Sequence, residues 1–455
     1  MKVAGTRLSP YSIAYVVFED TLIVGAFLFA LSFVGAAAVG PVAIVLLLGL
    51  LCGVKAVFFL TGLYDFARLP SRASFWTRLG LGMVLVGLAA LVVGLILAPP
   101  KPFVPAFVFL LGSGIVVGRT AFETLMRHPR FRKRLLFLGV DGVAQRTALE
   151  LVQQRRRDFD LVGFLCESDE GLGWQIAQRP VLGTFADLTR VVREERIDKV
   201  VVAVKDRRRQ LPLKALLDLR LRGIEILEET RVHEEIAGKI PVQDLRPSWL
   251  IFSDGFAQTP VRVVAKRVFD IVLAIVGLTL AAPVLAVTAL IIRSDSKGQV
   301  LFRQQRVGQG GNEFTLLKFR SMRPDAEANG QPQWAQKDDP RVTGFGKFMR
   351  KTRLDELPQM WNVLQGHMSF VGPRPERPFF VEQLRRRIPF YDQRHAVKPG
   401  ITGWAQVRFR YGSDDADAIE KLRHDMYYVK HQSLGFDVRI LLETVKVVLN
   451  GDLGR

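Results

Sequence analysis

The sequence predicts a multi-domain membrane protein with three parts. They are a four-helix transmembrane bundle, an α/β Rossmann-like domain with a parallel sheet, and a mainly helical α+β domain that opens with an apolar helix containing a proline. Three observations predict this. Four apolar runs fill the first 120 or so residues, strand-like and helix-like runs alternate to about residue 250, and a basic, loop-rich region follows one more apolar segment. At 455 residues the chain exceeds one ordinary domain. Its 63 Lys and Arg against 44 Asp and Glu leave a formal net charge of +19, yet 49% of the residues are hydrophobic. Such charge needs an anionic partner: nucleic acid, anionic lipid or a phosphorylated substrate. High charge beside high hydrophobicity implies separate basic and apolar regions. The two cysteines, Cys52 and Cys166, suggest neither a disulfide framework nor a metal site.

The apolar runs lie at about 21–39, 41–63, 80–97 and 103–117, within a first region of about 1–125. Each approaches or reaches the roughly 20 residues needed to cross a ~30 Å hydrocarbon core. Glu19 and Asp20 precede the first run, and no small-residue cleavage pattern follows it, so a cleaved signal peptide is not expected. Basic residues fall at Lys2 and Arg7, in the second connection (Arg68, Arg72, Arg78) and in "RHPRFRKR" after the fourth run; the third connection has only Lys101. The positive-inside rule makes these basic ends cytoplasmic, and with them everything after residue 125 or so.

From about 130 to 250 the strand candidates "LLFLGV", "DLVGFL", "KVVVAV" and "IEIL" alternate with helical "VAQRTALELVQQRR" and "LPLKALLDLRLR". That alternation implies a parallel sheet. Gly139 and Gly142 occupy the first strand-to-helix turn, but "GVDGVAQ" is only G-x-x-G, not a full dinucleotide fingerprint. The domain is expected to be structural, regulatory or nucleotide-binding, without catalysis.

A fifth apolar run, about 268–292, has basic residues on both sides, with Lys266 and Arg267 before it and Arg293 after it. Pro283 stands in its middle, where it removes a backbone hydrogen bond. The residues alone allow a helix that crosses or one that breaks at Ala282-Pro283 and returns.

The last region, about 262–455, contains "RKTRLDELPQMWNVLQGHMSFVGPRPE". From Asp355 to Leu364 the spacing is helical, with Leu357, Met360, Trp361 and Leu364 on one face and Gly366 as the stop. Pro358 fits a first turn. Asp355 and Glu356 then stand at a helix N-terminus, where free N–H groups favour negative charge and can bind phosphate. One metal ion at the tip could be reached by both acids, and Arg350 could point to the same place. Acids at a helix start are also ordinary capping, worth about 1 kcal/mol. The surroundings argue for more: Arg374 in a proline-stiffened loop suits phosphate, "FTLLKFRSM" is a strand carrying Lys318 and Arg320, and "KPGITGWAQV" adds Lys398 and Trp404. Trp404 could stack on a base or lie at a membrane interface.

The segments "KRVFD", the apolar helix with its proline, "LLKFRSM", "RKTRLDELPQMWNVLQGHMSFVGPRPE" and "KPGITGWAQV" resemble the bacterial polyprenyl-phosphate glycosyl-1-phosphate transferases. These sugar transferases start exopolysaccharide, O-antigen and capsule synthesis. The rest resembles the long form, with four spans and a Rossmann-like domain. The resemblance implies that a UDP-sugar gives its sugar-1-phosphate to undecaprenyl phosphate, releasing UMP. Asp355 would be the nucleophile, forming a covalent phosphosugar, and Glu356 would orient Mg²⁺ held by the pair or assist proton transfer. Lys318, Arg350 and Arg374 would surround the phosphates, with Arg320 and Arg353 as neighbours. Lys398 and Trp404 would contact the nucleotide or its loop. Lys266, Arg267 and Arg293 would meet anionic lipid and the polyprenyl phosphate. The apolar helix would be re-entrant, bent at Pro283, although Ala282 stands where some members have serine. The implied location is the bacterial inner membrane, multi-pass, with the catalytic domain on the cytoplasmic face. Expected partners are a UDP-sugar (glucose or galactose), undecaprenyl phosphate, anionic lipid, downstream glycosyltransferases and a possible second copy, but no nucleic acid. A membrane scaffold or sensor, or a glycosyltransferase releasing UDP, is the alternative.

Overall fold

The structure, a computed structural model, describes residues 2–3, 6–7, 10–32, 41–64, 72–97, 103–126, 128, 132–153, 159–204, 211–242, 250, 252–295, 298–323, 340–409 and 415–449. Residues 33–39 of the first apolar run, together with Arg68 and Lys101, lie outside them. The chain forms two compact units, one essentially Arg7–Ala237 and the other Gly238–Arg455.

The first unit opens with helices α1 (Pro10–Ser32), α2 (Pro41–Leu60), α3 (Arg72–Leu97) and α4 (Phe103–Met126). They share one apolar cluster: Ile23 and Phe27 from α1, Val54 and Phe58 from α2, Phe75 and Leu79 from α3, Leu111 and Ile115 from α4. Glycines let α4 approach α1 closely, as small residues do between apolar helices. A Cβ at Gly114 would stand 2.6 Å from a Leu22 methyl, and one at Gly118 2.5 Å from the Phe18 ring. Phe29, Leu88, Phe109 and Val117 point outward and are exposed. Helices apolar on both faces suit an apolar surrounding. The sequence did not foretell the buried polar group among them: Arg119 donates to the Leu63 carbonyl, and Tyr64 donates to Glu19.

The same unit continues with β1 (Lys133–Leu138), α5 (Gly142–Gln153), β2 (Phe159–Cys166), β3 (Gln175–Ile176), β4 (Arg179–Thr184), α6 (Leu188–Glu194), β5 (Lys199–Val202), α7 (Leu213–Leu221), β6 (Glu225–Glu228) and α8 (Glu229–Ala237). The sheet order is β3-β4-β2-β1-β5-β6, parallel except for β3 against β4. Side chains alternate across it. Leu135 and Phe137 meet Ala148 of α5 and Val232 of α8 on one face, while Leu136 and Leu138 meet Leu188 of α6 and Leu216 of α7 on the other. Burial on both faces explains why these strands read as unbroken apolar runs. The short strands β3 and β4 were not foreseen. Gly139 has φ +118°, and a Cβ there would lie 2.7 Å from the Ala203 carbonyl oxygen. The close approach of β1 to the end of β5 therefore accounts for this glycine.

In the second unit, Ile240 and Val242, ahead of the long apolar helix, join the main core. Helix α9 (Pro260–Asp295) follows, and the chain stays α-helical through Pro283, without the expected break. Then come the hairpin β7 (Leu301–Val307) and β8 (Glu313–Phe319), α10 (Gly344–Thr352), α11 (Gln359–Gln365), β9 (Ser369–Val371), α12 (Pro378–Arg387), β10 (Gly400–Thr402), α13 (Trp404–Arg408), α14 (Asp415–His431) and α15 (Leu434–Leu449). β7 pairs antiparallel with β8, and β9 pairs parallel with β10.

Two ends of α9 are fastened to this unit. At one, Lys266 Nζ meets Asp437 of α15 at 2.8 Å, and Arg267 donates to the carbonyls of Val363 and Leu364 at 2.6 and 2.7 Å. Asp270 accepts from Ser369 Oγ and from the Phe370 amide at 3.0 and 3.1 Å. At the other end Ile292 packs with Phe319 and Met349. Between them Val272, Ile275, Leu280, Val287 and Leu290 are exposed. Among the described residues α9 is the helix long and apolar enough to cross a membrane, with mean hydropathy 2.5 in its most apolar stretch.

Arg267 thus closes the C-terminal end of α11, where carbonyls lack helical partners. Arg267→Ala is expected to cost about 2–3 kcal/mol, since charged hydrogen bonds are the stronger kind. Thermal unfolding in detergent checks this, with Val268→Ala as the exposed neighbour; equal melting of both variants would refute the role.

Candidate active site

Asp355 and Glu356 lie in a single 3₁₀ turn, Leu354–Glu356, between α10 and α11. The acids therefore precede the helix rather than stand on its first turn, and α11 starts only at Gln359. The offset rotates the buried face. Gln359, Met360, Asn362 and Val363 point inward, whereas Trp361, expected in the core, is exposed. The turn is forced by Arg353, which closes α10 in the left-handed region at φ +58°, ψ 17°. That conformation costs a side-chain-bearing residue about 1–2 kcal/mol. In return, it folds both acids into the unit, each 7% exposed.

Three cations from three elements converge on one oxygen. Glu356 Oε1 lies 3.1 Å from Arg374 Nη2, 3.3 Å from Arg353 Nη1 and 3.6 Å from Lys318 Nζ. Lys318 comes from β8, Arg353 from the turn and Arg374 from the Gly-Pro-Arg-Pro loop. Arg350 donates its Nε–H to Ser321 Oγ at 3.0 Å. Asn362 locks α11 to β8: its Oδ1 accepts from the Leu317 amide at 3.0 Å and its Nδ2 donates to the Thr315 carbonyl at 2.8 Å. The acidic turn and Lys318 are thereby held in register.

Electrostatics separates the two acids. Burial opposes ionisation of Glu356, but Arg374, Lys318 and Arg353 outweigh it and hold the carboxyl well below the usual range. Burial pushes the Asp355 carboxyl up, the Glu356 charge adds to this, and Lys318, Arg353 and Arg350 only partly offset it. Burial also lowers Lys318 to about 8, with Arg374 and Arg306 acting the same way and Glu356 opposing. Asp355 Oδ1 is buried without a hydrogen-bond partner among the described residues. No group of three or more His, Cys, Asp or Glu that could hold a metal occurs among them. Mg²⁺ needs less, because it commonly takes one or two carboxylates together with substrate phosphates and water. The orphaned Asp355 oxygen beside ionised Glu356 fits such an ion.

The remaining candidates are placed as follows. Arg320 follows β8, its amide on the Val300 carbonyl at 3.0 Å. Lys398 stands beside Arg267 at Gly366, at the end of α11 opposite the acids: its Nζ and Arg267 Nη2 lie 3.6 and 3.4 Å from where a Gly366 Cβ would be. Trp404 is a correction. It is 3% exposed, donates to the Gly238 carbonyl at 2.7 Å and packs on Phe436, so it neither stacks on a base nor lies at an interface. An indole whose N–H has a partner buries well. Lys266 and Arg267 are likewise engaged by Asp437 and the α11 carbonyls rather than standing open for a headgroup. Arg293 is exposed in the last turn of α9, and Pro283 lies inside that helix. Sequence reasoning missed Asn362, Asp270, Arg394 and Asp425. Only Asp270, an acid within an apolar run, carried a signal.

Buried paired carboxylates beside Lys318, Arg353 and Arg374, on a unit carrying a long apolar helix, have the charge pattern that suits a phosphorylated ligand. Residues 261–451 match the family described as bacterial sugar transferase, and residues 59–210 match one described as a CoA-binding domain. The chain is 33% identical over 353 residues to the UDP-glucose:undecaprenyl-phosphate glucose-1-phosphate transferase of Xanthomonas campestris pv. campestris, covering 74% of this chain and 71% of that one. It is 39% identical over 279 residues to the UDP-N-acetylgalactosamine-undecaprenyl-phosphate N-acetylgalactosaminephosphotransferase of Aeromonas hydrophila, covering 61% and 63%. With the UDP-glucose:undecaprenyl-phosphate glucose-1-phosphate transferase of Escherichia coli (strain K12) it shares 47% over 182 residues, covering 40% and 39%. The match thus spans less than two thirds of the Aeromonas and Escherichia proteins. The chain belongs to the bacterial sugar transferase family, as its motifs led us to expect.

The acids should differ in stability. The folded pKa of Glu356 is depressed, so its contribution is present at neutral pH and lost only as pH falls through that low value. The folded pKa of Asp355 is raised, so its contribution is lost as pH rises through it, and its charge is a cost at neutral pH. Glu356→Gln is expected to destabilise by about 3–5 kcal/mol, the cost of breaking a buried ion pair. Asp355→Asn should match or exceed wild type. Denaturant unfolding at pH 7 checks both, and the reverse order would contradict this electrostatic account.

Proposed function

We propose that the protein transfers sugar-1-phosphate from a UDP-sugar to undecaprenyl phosphate, giving undecaprenyl-diphospho-sugar and UMP, and so starts synthesis of an exopolysaccharide, capsule or O-antigen. The observation that carries this is a buried Asp355, whose Oδ1 has no hydrogen-bond partner among the described residues, beside an ionised Glu356 held by Lys318, Arg353 and Arg374. The names of the relatives support the substrates.

In the first step an Asp355 oxygen attacks the phosphorus next to the sugar. A P–O bond to the aspartate forms, the diphosphate P–O bond breaks, and UMP leaves with the electron pair. In the second step an oxygen of the lipid phosphate attacks the same phosphorus, and the aspartate leaves. A covalent step divides one difficult exchange into two easier ones. Lys318, Arg353 and Arg374 neutralise charge that builds on the phosphate oxygens, at fixed positions and away from water. Glu356, held ionised by three cations, is a weak base. Its role is therefore to order those cations rather than to take a proton. Mg²⁺ held by Asp355 and Glu356 would add Lewis-acid neutralisation of the diphosphate.

We also infer that α9 enters and leaves the bilayer from the cytoplasmic side. Both of its ends are gripped by one unit, through Lys266, Arg267 and Asp270 at one end and Ile292 at the other. A crossing helix would separate those ends by the ~30 Å hydrocarbon core. Pro283, which lacks an N–H, is where the axis would bend. The apolar helices α1–α4 would cross fully, making the protein multi-pass in the inner membrane, and glycosyltransferases would extend its product.

Purified protein, Mg²⁺, undecaprenyl phosphate and a panel of UDP-sugars should yield UMP with wild type and none with Asp355→Asn. Release of UDP would instead mean glycosyl transfer without phosphate, undiminished UMP from the variant would remove Asp355 as nucleophile, and no release with any donor would favour a scaffold. A second outcome concerns pH. Lys318 loses its charge above about 8, so kcat/KM should fall on the alkaline side with a midpoint near there. In Lys318→Arg that alkaline limb should disappear, because a guanidinium stays charged. A limb that persists in this variant would assign the titration to another group.

A further inference from the structure

The Gly-Pro-Arg-Pro loop is tied down at four of its backbone groups, with a fifth bond at the Glu376 carbonyl that follows. The Gly372 amide donates to the Thr402 carbonyl and the Gly400 amide to the Pro373 carbonyl, both at 2.9 Å. Arg306 donates to the Pro375 carbonyl at 2.9 Å, and the Val307 amide to the Glu376 carbonyl at 2.9 Å. The carbonyl of Arg374 itself is held by a side chain far along the sequence: Arg394 Nη2 donates to it at 2.9 Å. Arg394 is buried, donates to the Tyr391 hydroxyl at 2.7 Å, and forms an ion pair with Asp425 Oδ2 at 2.8 Å that lacks hydrogen-bond geometry.

A buried ion pair is a weak source of stability, since an apolar pair of the same size often does as well. Arg394 and Asp425 therefore call for another explanation. A guanidinium can serve a carboxylate, a phenol and a carbonyl at once from one rigid plane, which an ammonium or an apolar side chain cannot. What that plane fixes is the backbone from which the Arg374 side chain reaches Glu356. We propose that the buried Arg394–Asp425 pair is a positioning device for the donor diphosphate: through the Arg374 carbonyl it sets the guanidinium that Glu356 and the phosphates share. The proposal rests on the transfer reading for what Arg374 grips, but not for the geometry. Arg394 touches neither Asp355 nor Glu356 in any described contact, and acts through Arg374.

The test is a double-mutant cycle read by binding of UDP with Mg²⁺, using full-length protein in detergent. Arg394→Lys keeps the charge opposite Asp425 but not the fork, and should weaken UDP binding about tenfold, or 1.4 kcal/mol. The same change in an Arg374→Ala background should cause no further loss, because residues acting as one unit are not additive. In turnover, KM for the UDP-sugar should rise while KM for undecaprenyl phosphate does not. If Arg394→Lys folds poorly, the joint replacement Arg394→Met with Asp425→Leu, which leaves no buried lone charge, takes its place in the cycle. Equal losses in both backgrounds, or a parallel rise of both KM values, would reduce Arg394 to a structural residue and overturn the proposal. Wild type that binds UDP yet forms no UMP would sink the transfer reading while the binding cycle still decides the positioning role.

Discussion

The second unit is organised around one carboxylate oxygen. Glu356 Oε1 collects Arg374, Arg353 and Lys318, and these come from a proline loop, a left-handed turn and a strand. None of the three cations could be buried alone, because an unpaired charge in a low-dielectric interior is severely penalised. Nor could Glu356 be buried without them. The acid therefore makes the cage possible, and the cage in turn leaves Asp355 as the acid without a compensating partner at Oδ1.

This constraint explains features that look unrelated. The strained Arg353 backbone brings the acids inward. Asn362 keeps the turn in register with Lys318 by completing hydrogen bonds at Leu317 and Thr315. Arg267 finishes the short helix that follows, linking it to the apolar helix α9. The acidic turn and the long apolar helix are thus one mechanical piece, with the acids at one end of α11 and α9 fastened to the other.

Much of this was legible in the sequence. Short apolar runs alternating with helix-like runs marked β1, β2, β5 and β6 of the middle domain, because a sheet covered by helices shows little polar side. The apolar runs marked α1–α4 and α9, and "LDELP" marked the acidic turn on which Lys318, Arg353 and Arg374 converge. What misled was local pattern read without its neighbours. Helical spacing put Trp361 in the core, but a 3₁₀ turn ahead of α11 shifted the phase. Trp404 looked like a surface aromatic because its distant partner, the Gly238 carbonyl, cannot be seen along the chain.

By itself, then, the sequence determined which residues could bear charge, which segments had to leave water and which family the chain joins. Those properties are carried by residue type and short spacing. Tertiary structure alone decided which charges meet. Lys318, Glu356 and Arg374 are brought together across tens of residues, Arg394 is matched to Asp425 and to the Arg374 carbonyl, and Lys266 is claimed by Asp437 instead of a lipid. The reason is physical: a buried charge must find its partner in three dimensions, and nothing in the identity of a lysine or arginine says which carboxylate that will be.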